Sequence, residues 1–180
     1  FDYYYGKLSV EFLYDDKETM FVKRLLQYDL PIKVRESFLD YLFNEYVGVP
    51  ENAFSEELYL TLDQVLHMSK DGMHIGSHGH SHYWLDKLTK DEQESEILLS
   101  MDYLSKMSVD LDNWNICYPY GGYNEDTIEL LQKYNCQLGF ADDSIAIADL
   151  DTDNRFALPR LDTNDFPCDA NALPNKWTKQ

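Results

Sequence analysis

The chain has 180 residues, a formal net charge of −18 and a pI near 4.4, with 44% hydrophobic and 14% aromatic residues. That length fits one domain with a real core, and the apolar content, including 14 tyrosines, argues against disorder. The acidic balance excludes nucleic acid and anionic membrane surfaces as partners and disfavours an acidic polymer as a ligand.

The first third reads as helical. From about Lys17 to Tyr28, Met20, Phe21, Leu25 and Tyr28 recur at helical spacing until the Leu30-Pro31 step. Phe38, Tyr41, Leu42 and Phe43 make a second stripe from Val34 to about Tyr46, ended near Gly48 and Pro50. A third helix is predicted from about Thr61 to Ser69, with Gly72 past its end. These stripes read as core packing, and His67 and His74 as structural.

The remainder alternates. A short strand over Met73–Ser77 leads into Gly76-Ser77-His78-Gly79-His80-Ser81-His82-Tyr83, which holds three of the five histidines. Thr89 is a candidate N-cap, with Asp91 and Glu92 in the first turn of a helix continuing through Ile97, Leu98, Met101 and Leu104. A strand over Trp114–Tyr118 runs into Pro119-Tyr120-Gly121-Gly122-Tyr123, and a helix follows from about Asn124 to Tyr134. Asn124 to Thr127 reads as capping rather than chemistry. Further strands are predicted over Gln137–Ala141 and Phe156–Leu161, the last bearing Pro159-Arg160-Leu161-Asp162. Strand–helix alternation predicts parallel pairing.

Neutral imidazole is the commonest protein metal ligand. His78 and His82, four apart, reach one ion from a turn of helix, whereas His78, His80 and His82 share a face if the run is extended. The competing reading is a polar turn with incidental histidines. Likewise Tyr118–Tyr123 reads alone as an ordinary turn, and Pro159–Asp162 as a surface ion pair on an edge strand. Cys117, Cys136 and Cys168 are odd in number, widely spaced and without a CxxC pair, which favours reduced thiols. No apolar run approaches membrane-spanning length and no basic-then-apolar leader opens the chain, so membrane insertion is not expected and a cytoplasmic setting is favoured.

Three motifs in order, Ser77–His82, Cys117–Asn124 and Leu158–Asp165, resemble the polysaccharide deacetylases of carbohydrate esterase family 4 (the NodB-homology domain), in a bacterial surface-polysaccharide branch. The resemblance implies a partial or distorted (β/α) barrel of mostly parallel strands. Residues 1–71 would be a helical segment packed on it, and residues 72–180 the C-terminal part of the barrel. It implies a metal-dependent hydrolase that removes N-acetyl groups from a sugar in a polysaccharide or its precursor. The divalent metal, zinc in expectation, would be held by His78 and His82. Tyr118, Pro119 and Tyr120 would wall the groove for an N-acetylated carbohydrate, with backbone near Tyr120 as an oxyanion donor. Arg160 and Asp162 would pair to orient the base.

The family's opening Thr-Phe-Asp-Asp-Gly string and its late Leu-x-Leu-His motif are absent from the sequence. The nearest imitation of the first is Leu13-Tyr14-Asp15-Asp16-Lys17, which also reads as the start of a helix. The chain starts at Phe1, and the expectation is therefore the carboxyl-side part of a longer deacetylase. The alternatives are a catalytically incomplete carbohydrate-binding domain, or a different hydrolase using the three-histidine face.

Overall fold

The structure, a computed structural model, describes residues 1–12, 15–142, 146–169 and 171–179. The chain divides into two compact units, Phe1–Thr61 and Leu62–Gln180.

The first unit is built from helices α1 (Asp2–Leu8), α2 (Lys17–Arg24), α3 (Ile32–Tyr46) and α4 (Glu51–Leu58), with a π-turn over Leu25–Asp29 extending α2. Pro31 and Pro50 stand immediately before α3 and α4, where a fixed φ starts a helix and no donor is lost. The rings of Phe1, Tyr5 and Phe21 pack together, and the Tyr5 hydroxyl donates to Glu18 at 2.8 Å. Within the Leu13–Lys17 segment, Leu13 and Tyr14 lie outside the described residues. Asp16 caps α2, accepting the Thr19 N–H at 2.8 Å, while Asp15 pairs with Lys23 at 2.6 Å.

The second unit carries α5 (Leu62–Lys70), α6 (Lys90–Lys106), β1 (Trp114–Cys117), α7 (Glu125–Lys133) and β2 (Cys136–Phe140). Strands β1 and β2 pair in parallel, with a register irregularity between Trp114 and Asn115. The core gathers Leu85, Ile97, Leu104, Trp114, Ile116, Tyr118, Leu130, Leu131, Cys136 and Phe156. Both capped helices start as their sequences direct. Thr89 and Glu92 form a reciprocal capping box on α6, and Asn124 and Thr127 form one on α7. The two starts are tied together by fully buried Gln93. Its amide donates to Leu88 O and Asn124 Oδ1, and it accepts the Thr127 hydroxyl at 2.6 Å.

The expected barrel of mostly parallel strands does not form. Among the described residues the molecule is mostly helical, and its sheet is an open pair. The segments 73–77 and 156–161 each reach that pair at one bridging residue, Ser77 against Ile116 and Leu158 against Phe140. Leu158 donates its N–H to Gly139 O and accepts the Ala141 N–H, and the pairing goes no further. On the other edge, His74 meets Asn115 through side chains, and Gly79 at φ 75° turns the chain away immediately after Ser77. Among the described residues no helix is long and apolar enough to cross a membrane.

The three cysteines are free. Burial pushes the Cys136 thiol up to about 11, and Cys168 is exposed. A thiolate-selective disulfide reagent at pH 8 should therefore label Cys168 at once and Cys136 only on unfolding, counted by mass spectrometry with and without denaturant. Fast labelling of Cys136 in the folded chain would contradict this core.

Candidate metal and carbohydrate site

The candidate site lies where the chain leaves the two-stranded sheet. Ser77 joins β1 through its N–H to Asn115 O at 2.8 Å and its carbonyl to Cys117 N at 2.9 Å. This places His78 beside the end of β1, where His78 Nδ1 lies 2.7 Å from the Cys117 carbonyl. A carbonyl only accepts, so Nδ1 donates and the Nε2 of a neutral His78 presents a lone pair. That Nε2 lies 3.1 Å from His82 Nε2, with ring centroids 4.8 Å apart.

The turn between them has two left-handed residues, Gly79 at φ 75° and His82 at φ 57°. A glycine adopts this without strain and a histidine does not, so the surroundings must hold the second. They do so from α6. The Glu96 Oε2 accepts the N–H groups of His80 at 3.1 Å and Ser81 at 2.7 Å. Ser77 Oγ bonds to Ser100 Oγ and accepts the Gly79 N–H at 3.2 Å. Burial, then the charge of His78, holds His82 below the usual imidazole range, which favours its neutral form. The His80 ring is directed toward Tyr103 on α6, centroids 6.1 Å apart.

One wall of the site is aromatic. After β1, Pro119–Gly121 form a single tight turn, with Tyr120 at φ 55°. The Tyr120 ring meets the His82 ring at 4.7 Å and stacks on Trp84 at 4.9 Å, 10° from parallel. Tyr118 and Pro119, expected in the same wall, are buried. The Tyr118 hydroxyl donates to Phe156 O at 2.6 Å, its ring stacks on Tyr123, and burial raises its phenol far above the ordinary range. The Gly121 and Gly122 N–H groups are used within the turn by Tyr118 O and Pro119 O.

Arg160 and Asp162 make separate contacts. The Arg160 guanidinium donates to Cys117 Sγ at 3.3 Å and lies over the Phe140 ring. Asp162 caps the short turn Thr163–Asp165, accepting the Asn164 N–H at 2.7 Å.

The donor set fits a divalent ion in part. Two bonds of about 2.0–2.1 Å at a tetrahedral angle put two nitrogens roughly 3.3 Å apart, close to the 3.1 Å between the two Nε2 atoms. Among the described residues, however, no group of three or more His, Cys, Asp and Glu side chains comes together to hold a metal.

The sequence profile of the polysaccharide deacetylase family matches residues 37–139, more than half of the chain. The chain belongs to that family. Among relatives, the putative polysaccharide deacetylase YxkH of Bacillus subtilis (strain 168) is 35% identical over 81 residues, covering 45% of this chain and 29% of its own length. Among solved structures, the Streptococcus pyogenes deacetylase PplD in complex with acetate superposes with a TM-score of 0.51 and 30% identity, over 57% of this chain and 44% of its own. The chain thus spans less than half the length of either deacetylase. Glu96, Ser100 and Trp84 were not singled out in the sequence. The signal for Glu96 and Ser100 was their place on the α6 stripe that contains Ile97 and Leu104.

Proposed function

We propose that this chain is a carbohydrate-binding, catalytically incomplete domain of the deacetylase type, presenting two metal-binding histidines beside an aromatic wall. One observation carries the reading: His78 and His82 converge at 3.1 Å, and among the described residues no third ligand joins them. A divalent ion, zinc in this proposal, supplies Lewis-acid polarisation of an amide carbonyl when bound. His78 and His82 would hold it, with Cys117 O fixing the tautomer and ring direction of His78. Arg160, through Cys117 Sγ, steadies the residue whose carbonyl holds His78, and Asp162 fixes the turn that follows Arg160. Tyr120 and Trp84 offer apolar ring surface against which a sugar can pack, and the net charge of −18 suits a neutral N-acetylated carbohydrate better than a polyanion.

The convergence of the two rings and the family membership favour a second reading for a chain in which a carboxylate completes the site. There, the same residues would serve removal of N-acetyl groups from a polysaccharide or its precursor. Amide hydrolysis also needs a base for water and a donor for the leaving amine, and neither is assigned among the described residues.

The test uses the 180-residue chain with an N-acetylated chito-oligosaccharide and zinc or cobalt. Calorimetry should show sugar binding, while acetate release stays at the level of a chelator-treated control. Robust, chelator-sensitive acetate release would overturn the incompleteness and establish the second reading. Absence of sugar binding would remove the first.

A further inference from the structure

The geometry points to Glu96 as a positioning residue that sets the separation of His78 and His82 before any ion arrives. This rests on the two-histidine reading above and adds to it the device that holds the pair. Glu96 lies in the middle of α6, 6% exposed, among the buried residues of the helix. A carboxylate there has no reason of packing to be buried, and exposed glutamate is the rule. Its Oε2 collects two adjacent backbone N–H groups, His80 and Ser81, at 3.1 and 2.7 Å. Those are two of the three residues between the histidines. Bonds from an amide to a carboxylate are roughly twice as strong as neutral ones, so the arc is pulled onto α6 at its centre.

Three further observations make the clamp specific to the site. Gly79, the third residue of the arc, has its own N–H on Ser77 Oγ, which in turn bonds to Ser100 one helical turn beyond Glu96. A Cβ added at Gly79 would lie 3.8 Å from Glu96 Oε2, so the arc lies directly against the carboxylate. His82 holds φ 57°, a conformation costly for histidine unless its surroundings impose it. Without Glu96, His80 and Ser81 lose their acceptor, and nothing else described holds their N–H groups. His82 is then free to relax out of the left-handed region. His78, locked by Cys117 O, would stay. The pair would lose its second member while keeping its first.

The experiment compares the 180-residue chain with Glu96→Ala, Glu96→Gln, Glu96→Asp and Leu104→Ala. Leu104 is a buried residue of the same helix, chosen as a control of stability alone. Cobalt is the probe, with affinity and coordination read from its visible absorption, alongside amide-proton exchange at His80 and Ser81. Groups that orient metal ligands cost about 10–100-fold in affinity when removed. Glu96→Ala should weaken cobalt binding about 10-fold or more and unprotect both amides. Glu96→Gln retains an acceptor oxygen and should recover most of the affinity. Leu104→Ala should lower Tm and leave affinity unchanged. If Glu96→Ala does not fold, Glu96→Asp decides: one methylene shorter, it draws the shared acceptor oxygen back from both N–H groups and should weaken binding in the same direction. Unchanged affinity in the folded Ala or Asp variant overturns the proposal, as does an equal loss in Leu104→Ala. A wild-type chain that binds no cobalt overturns the two-histidine reading itself, a result distinct from either of those.

Discussion

His78→Ala should abolish specific binding of zinc or cobalt, a loss of about 100-fold or more, since removing even an orienting partner of a ligand costs 10–100-fold. The substitution deletes one of the two Nε2 atoms that face each other at 3.1 Å, and with it the Nδ1 contact to Cys117 O that aims the ring. His80→Ala should cost far less. Its ring is directed toward Tyr103, and the part of His80 that serves the site is its backbone N–H, which alanine keeps for Glu96. Isothermal titration with each ion separates the outcomes. An equal loss in both variants would move the site to an extended three-histidine face and end the His78–His82 assignment.

Gly139→Ala should destabilise the second unit by about 3 kcal/mol, combining overpacking at 1–3 kcal/mol with the loss of a buried hydrogen bond at 1–3 kcal/mol. A Cβ at Gly139 would sit 2.2 Å from the Tyr118 hydroxyl and 2.6 Å from Phe156 O, the two atoms that bond to each other across the core. Neither can yield cheaply. Tyr118 is 1% exposed, and the Phe156 carbonyl belongs to the backbone that returns to β2 through Arg155 O on Gly139 N–H and Leu158 N–H on Gly139 O. Urea unfolding at constant m reads the effect. Tyr118→Phe alone removes the hydroxyl and should cost about 1 kcal/mol. Combined with Gly139→Ala, it should cost less than the sum, because one of the two clashing atoms is gone. Tolerance of alanine within about 0.5 kcal/mol, the ordinary surface value, would mean that this crossing is looser than it stands.

The elements legible in advance were those with local chemical signatures. Thr89 and Asn124 start α6 and α7 as their side chains direct, and Pro31 and Pro50 bound the first two helical runs, whereas α4, which follows Pro50 directly, has no counterpart among the predicted helices. The strands around β1 and β2 were over-read. Apolar runs at 73–77 and 156–161 satisfy a strand pattern, but a ladder needs donors at alternate residues and a partner edge, and here each run pairs at one bridge, with Gly79 turning the first away and giving its N–H to Ser77 Oγ. The barrel came with the family resemblance rather than from any count of strands in this chain, so it had no local support to fall back on. Within α6 the hydrophobic pattern misled more subtly. Leu98 and Leu99 are exposed, while Gln93, Glu96 and Ser100 are buried. Periodicity assigns the core face by polarity, and this face is polar because it binds backbone and side chains of neighbouring segments. The four-residue spacing of His78 and His82 was legible. The tie of Arg160 to Cys117 and the burial of Tyr118 depend on which strands lie side by side, which single-residue patterns do not carry.

The stack of Trp84 on Tyr120, whose ring edge in turn meets His82, gives the molecule a natural optical reporter. Indole emission responds to the polarity and charge around it, and the other two tryptophans, Trp114 sealed in the core and Trp177 outside the stack, supply the background. In the proposed function, a cation at His82 or a sugar against Tyr120 would change the surroundings of Trp84 through one intervening ring. Occupancy of the site can thus be followed in unlabelled protein, and Trp84→Phe silences that part of the signal while preserving an aromatic face.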